Sequence, residues 1–83
     1  MNKILIRVYV PQLEKKYDIW IPINKTVYTI IYSITKGIDS LNKISIENDY
    51  IMNLYNRENS ETYDLEKKII DTDIRNGTEL III

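Results

Sequence analysis

Asp71, Asp73, Asn76 and Gly77 lie within seven residues of one another, in Asp71-Thr72-Asp73-Ile74-Arg75-Asn76-Gly77. Two carboxylates one residue apart, ahead of a glycine, are how a calcium loop begins, with its oxygens set to converge on a hard cation. Two features oppose that chemistry. Arg75 occupies a ligand position, and no carboxylate closes the loop where such a site requires one. Turn formation accounts for the same residues: Asp71 caps the local backbone, and Asn76-Gly77 tolerates positive φ. The acids Glu58, Glu61, Asp64 and Glu66 form a second group, in or near a polar turn. A carboxylate pair does acid–base work when an apolar pocket or a neighbouring base separates the two pKa values. The chain has no histidine and no cysteine, so imidazole, thiolate, disulfide and zinc-finger chemistry are all excluded. The expectation is a protein that is not an enzyme and needs neither cofactor nor metal.

Composition narrows the partners. Eleven Lys and Arg stand against twelve Asp and Glu, the cations scattered singly or in pairs, so no nucleic-acid footprint is expected. The apolar runs are far below the ~18 residues that span a bilayer, and the amino terminus alternates instead of forming a signal-peptide block. No membrane insertion and a cytoplasmic location follow as expectations. At 83 residues the chain is expected to be one domain, residues 1–83, burying ~60% of the surface its unfolded form exposes. The absence of alanine and the wealth of Ile, Asn, Lys and Tyr fit codon bias in an AT-rich genome.

The elements follow from periodicity. Ile4, Ile6, Val8 and Val10 alternate with Leu5, Arg7 and Tyr9 as a first strand, which Pro11 ends. Tyr17, Ile19, Ile21 and Ile23 alternate with Asp18, Trp20 and Pro22 as a second strand paired to it, and Pro22 marks that strand as a sheet edge. Val27, Ile30, Ile31, Ile34 and Ile38 then fall on one face of a helix over residues 27–36. Thr26 or Asn24 supplies the N-cap oxygen, and Gly37 and Ile38 form the C-terminal cap. Residues 41–49 read as an irregular connection. A third strand is expected over residues 50–55, a short fourth over 62–65, and a crossover over 66–75 anchored by Ile69 and Ile74. Asn76-Gly77 then delivers a fifth strand through Leu80 and Ile82. A ββαββ order with a final strand after a crossover predicts an α+β fold, a β-grasp with one helix packed across a mixed sheet.

Two stretches carry a resemblance. Thr26-Val27-x-x-Ile30-x-x-x-Ile34-x-x-Gly37-Ile38 resembles the helix of ubiquitin with its glycine and following isoleucine. Ile69-x-Asp71-x-x-Ile74-x-Asn76-Gly77-x-x-Leu80-x-Ile82 resembles the closing signature of many ubiquitin-like domains. With the amino-terminal hairpin, the chain is most similar to the bacterial YukD/EsaB-like family, ubiquitin-like proteins of type VII (WXG-type) secretion systems in Firmicutes. The resemblance implies a cytosolic accessory or regulator that works through protein contacts, with a secretion-system membrane component or ATPase as partner, or a second copy of itself docked through the outer sheet face. The alternative is a small modifier or sulfur-carrier-like protein. Those members use a flexible Gly-Gly tail, whose bare backbone enters an enzyme's active site. This sequence instead closes Leu80-Ile81-Ile82-Ile83, which sets the expectation against conjugation.

The candidate site comes from the period-two rule. If the alternating residues from Ile4 to Ile82 face the helix, their neighbours Leu5, Arg7, Tyr9, Trp20, Ile51, Asn53, Tyr55, Ile81 and Ile83 face away from it. In the strand order 2-1-5-3-4 that the resemblance implies, they form a contiguous band in which Trp20 sits across strand one from Ile81. A sheet face rich in aromatic and aliphatic side chains is expected to be a protein-interaction surface.

Overall fold

The structure, a computed structural model, describes residues 2–42 and 53–83. Strands β1 (Lys3–Val10) and β2 (Lys15–Pro22) form the expected antiparallel hairpin, with Lys3 opposite Pro22 and Val10 opposite Lys15. Pro11 closes β1 because it has no N–H for the ladder. Pro11–Leu13 makes one 3-10 turn, and Glu14 takes φ +52° to reverse the chain, its amide donating to the Pro11 carbonyl at 3.1 Å.

Helix α1 (Val27–Asn42) is longer than its sequence pattern suggests. Gly37 and Ile38 do not cap it; they lie inside it. The apolar stripe explains this, since Ile38 continues the spacing of Ile34 and is 3% exposed. Burying such a side chain contributes about 1.5–3 kcal/mol, more than the ~1 kcal/mol that glycine costs in a helix interior. The amino end of α1 is fully satisfied. Val27 and Tyr28 donate their amides to the carbonyls of Lys67 and Leu65, at 2.8 and 3.0 Å. Thr29 donates to the Thr26 hydroxyl at 3.2 Å and Ile30 to the Thr26 carbonyl at 3.1 Å. Thr26 is thus the N-cap, and the crossover supplies the other two acceptors.

The third and fourth strands differ from expectation. Strand β3 is Leu54–Asn56; the residues before Asn53 that were assigned to it, Ile51 and Met52 among them, lie outside the described residues. The fourth strand over 62–65 reduces to one bridge between Thr62 and Tyr55. The Leu65 carbonyl is taken by α1, which draws the chain off the sheet toward the helix. Strand β4 (Glu79–Ile82) runs parallel to β1 and antiparallel to β3, giving the order β2-β1-β4-β3.

The turn into β4 works as the sequence suggests. Gly77 takes φ +91° and donates to the Leu5 carbonyl at 2.7 Å, and the Asn76 side chain accepts the Leu5 amide at 2.8 Å. Asp71 is not the cap of the crossover; Thr72 is, its hydroxyl donating to the Ile69 carbonyl at 2.6 Å and accepting the Ile74 amide at 3.2 Å. A hydroxyl can do both, whereas a carboxylate only accepts.

The core joins Ile6, Val8 and Val10 of β1 to Leu54, Leu80 and Ile82, under Val27, Ile30 and Ile34 of α1. Ile69 and Ile74 are buried anchors as expected. Ile4 and Ile19, expected on the helix-facing side, pack against this core and are partly buried, as are Tyr17 and Ile23. One helix laid across a mixed sheet with a parallel central pair is the β-grasp architecture.

Candidate interaction surface

The register fixes what the outer face presents, row by row. Trp20 lies opposite Leu5. Two residues along, Asp18, Arg7 and Glu79 align across β2, β1 and β4, and Arg57 joins them from beyond β3, its amide on the Glu79 carbonyl. Arg7 Nε donates to Asp18 at 3.0 Å, Arg7 Nη1 lies 3.7 Å from Glu79, and Arg57 Nη1 donates to Glu79 at 2.8 Å. The signs alternate across the whole sheet. The Asp18 hydrogen bond, then its charge and that of Glu79, raise the already high pKa of Arg7, so Arg7 keeps its charge at any physiological pH. The next row is Lys16, Tyr9, Ile81 and Tyr55, extended by Thr62. Last come Ile83 and Asn53, whose backbones exchange hydrogen bonds at 2.9 and 3.2 Å.

The expected band is therefore divided. Trp20 and Leu5 stand on one side of the charged row, with Tyr9, Ile81, Tyr55, Asn53 and Ile83 on the other; Arg7 belongs to the divider. Trp20 does not sit across β1 from Ile81, because parallel pairing places Tyr9 there. Sequence reasoning missed this row, since Asp18, Arg7, Glu79 and Arg57 come from four segments that only the register aligns. Trp20 is 58% exposed and Ile83 53%, while Leu5, Tyr9, Asn53, Tyr55 and Ile81 are half-buried. Ile51 lies outside the described residues. Sequence reasoning also passed over a second exposed group, Tyr28 and Tyr32 on α1 with Lys36 5.5 Å from the Tyr32 ring, one turn apart on the solvent side.

The acidic residues form turns. Tyr63 donates its hydroxyl to Asp73 at 2.7 Å and accepts from the Asn56 amide nitrogen at 3.0 Å. Burial is the main force pushing the Tyr63 pKa up to about 12; Asn56 opposes it and Asp73 adds to it. Arg75 Nη1 donates to the carbonyls of Thr72 and Ile74 at 2.7 and 2.8 Å. Both carbonyls and the Asp73 carboxylate are thus engaged in the turn that the calcium-like spacing encodes. Among the described residues no group of three acidic side chains converges to hold a metal, and no helix is long and apolar enough to cross a membrane.

No protein-family profile matches the sequence, and no curated protein is similar to it by sequence. The fold has clear structural counterparts. A chain of a toluene 4-monooxygenase complex with the inhibitor 4-bromobenzoate superposes with a TM-score of 0.79 at 6% identity, over 96% of this chain and 95% of the other. The ubiquitin-like domain of the Mycobacterium tuberculosis type VII secretion protein EccD1 gives 0.76 at 12% identity, over 100% and 99%. A chain of an ESX-5 inner membrane complex gives 0.72 at 11% identity, with this whole chain matching 21% of that one. Identities this low speak to fold alone, and the fold is that of a ubiquitin-like β-grasp domain.

Proposed function

We propose that this chain is a ubiquitin-like interaction module of a type VII (WXG-type) secretion system. It resembles the YukD/EsaB-like proteins and acts by reversible contact with a cytoplasmic membrane component or ATPase of the apparatus. The observation that carries the reading is the outer sheet face. On a ubiquitin-like scaffold, Trp20 stands more than half exposed beside Leu5, and a row of Tyr9, Ile81 and Tyr55 continues to Ile83. Large apolar side chains gathered on one face mark contact sites, and aromatic anchors dominate interface energetics. The EccD1 domain supports the choice of apparatus, since it belongs to a type VII secretion protein by its own description and shares this fold, and the ESX-5 chain, from an inner membrane complex, supports a membrane-bound partner.

The same reading takes the module to act by contact and not by conjugation. The test is capture of the purified cytoplasmic part of the secretion ATPase from the same host. Trp20→Ala and Ile81→Glu should each weaken capture by ~30-fold or more, the ~2 kcal/mol of an interface hot spot, and leave the melting temperature nearly unchanged. Full capture by both variants would refute this surface. A mass increment on the protein recovered from cells, or adenylation by an activating enzyme, would refute the non-conjugated reading.

A further inference from the structure

Only one asparagine in the chain precedes a glycine, Asn76 before Gly77, and that pair is reactive as well as flexible. The Gly77 nitrogen can close a five-membered ring on the side-chain carbon of Asn76, and glycine has no Cβ to shield that nitrogen. The surroundings are open too. Asn76 and Gly77 are exposed, and a Cβ at Gly77 would meet no atom within 4 Å. Neither water nor space limits an attack of the nitrogen on the side chain.

The backbone of Leu5 does. Its carbonyl accepts the Gly77 N–H at 2.7 Å, and its own N–H donates to Asn76 Oδ1 at 2.8 Å, so one residue of β1 holds both reaction partners. The Gly77 nitrogen attacks only after giving up its proton. A carbonyl oxygen bonded to that proton favours the neutral amide and opposes the negative charge that would form on the nitrogen. The turn around the pair is closed by the Thr78 amide on the Arg75 carbonyl at 3.0 Å and the Arg75 amide on the Thr78 hydroxyl at 2.8 Å. The Arg7 amide on the Thr78 carbonyl, at 3.1 Å, then carries the pairing on into β4.

We propose that Asn76 is a site of spontaneous conversion to aspartate and isoaspartate, gated by release of Asn76 and Gly77 from Leu5. On release, the Gly77 nitrogen bonds to Asn76 Cγ, the Cγ–Nδ2 bond breaks, and the proton lost by the Gly77 nitrogen leaves with Nδ2 as ammonia. The cyclic imide then takes up one water. Opening at Cγ gives aspartate; opening at the main-chain carbonyl carbon gives isoaspartate, whose backbone runs through Cβ and Cγ. The two products differ in what they do to the fold. An aspartate carboxylate still accepts the Leu5 amide, whereas isoaspartate lengthens the main chain by one carbon ahead of Gly77 and no longer matches both of its bonds to Leu5. Conversion is thus a one-way record of openings at the β1–β4 joint. It also sets a new carboxylate beside Leu5, in the row of Trp20. The proposal is separate from the outer-face reading and does not rest on it.

The test incubates the full chain at neutral pH in buffer and in concentrated urea, with peptide mass mapping for conversion and enzymatic methylation for isoaspartate. In urea Asn76 should be the first asparagine converted, and Gly77→Ala should slow it at least ~tenfold by adding the shielding Cβ, an effect read where folding plays no part. In buffer the parent should convert at least ~tenfold more slowly than in urea, since two hydrogen bonds must break together. The same opening exposes the Gly77 amide to solvent, so protection of that amide against hydrogen exchange and protection of Asn76 against conversion should agree within about threefold. Asn76→Asp should keep the slow exchange at Gly77, and the isolated isoaspartate form should lose it. Conversion as fast in buffer as in urea would overturn the gate, as would a conversion rate that does not follow Gly77 exchange through sub-denaturing urea. First conversion at Asn59, which precedes Ser60, or none at Asn76 in urea, would overturn the site.

Discussion

Strands β4 and β2 both turn apolar side chains toward the helix at every second position, Leu80 and Ile82 in one, Tyr17, Ile19 and Ile21 in the other, yet they do opposite things. β4 is bonded on both sides, and Leu80 and Ile82 are each 1% exposed. β2 is bonded on one side, and its Ile19 and Tyr17 stay half-exposed beside an open groove. Local pattern makes both into strands. Their place in the sheet makes one the spine of the core and the other a surface.

The sharpest test of that contrast is a matched pair of truncations. Leu80→Ala removes a fully buried side chain and should cost about 2–5 kcal/mol in transfer and cavity terms, a large part of the stability of any domain this small. Ile19→Ala removes a half-hydrated one whose neighbourhood is already open, and should cost about 1 kcal/mol by area. Urea denaturation of both variants measures the difference. Equal costs would mean that the groove closes in solution.

The turns that feed the two strands differ in the same sense. Gly77, at φ +91° ahead of β4, should lose about 1–2 kcal/mol on Gly77→Ala, the cost of forcing a Cβ into the left-handed region. Glu14, at φ +52° ahead of β2, already bears that cost, so Glu14→Gly should be neutral to slightly stabilising. Thermal melts of the two variants should move in opposite directions or, for Glu14→Gly, hardly at all.

What the sequence conveys and what it hides divide along the same line. The hairpin, the helix stripe from Val27 to Ile38, the anchors Ile69 and Ile74 and the Asn76-Gly77 turn are all legible, because each is set by residues near one another in the chain. Gly37 misleads because glycine is a stop signal only where no further burial is on offer, and Ile38 offers it. The short fourth strand misleads because the Leu65 carbonyl has a better partner on α1 than on the sheet. The charged row and the groove are invisible for a stronger reason. Both are assembled from segments far apart in sequence, so they exist only once register and helix tilt are set. The outer face is legible as a set of residues, but its division by Arg7 and Glu79 is not.

The far edge of the sheet, unlike β2, is tied down, and pH reads this out. Tyr63→Phe would lose the hydroxyl that joins Asn56 to Asp73, a loss of about 1 kcal/mol. The Tyr63 pKa is raised from 10.0 to about 12 in the fold. Below pH 10 both folded and unfolded chains keep the proton, and the contribution is whole. Between pH 10 and 12 the unfolded chain releases it while the folded chain does not, so stability falls as pH rises. Denaturation midpoints across that window should drop less steeply for Tyr63→Phe than for the parent.

The smallest effect on stability belongs to Arg7, yet it bears on the comparison most directly. Arg7 pairs with Asp18 of β2 and Glu79 of β4 and so links the edge to the spine across the outer face. Its side chain is half exposed, and exposed ion pairs contribute little because water and salt screen them. Arg7→Leu should therefore shift the melting temperature little. It should change association, because leucine at this position would join the Trp20–Leu5 patch to the Tyr9–Ile81–Tyr55 row. An apolar face that is now broken by four alternating charges would become continuous along β1, between the remaining charges of Asp18 and Glu79, and continuous apolar faces drive association. Sedimentation should show a concentration-dependent dimer in Arg7→Leu that the parent forms weakly or not at all. Adding Trp20→Ala to that variant should reverse it. If Arg7→Leu sediments as the parent does, the outer aromatics do not act as a surface for association.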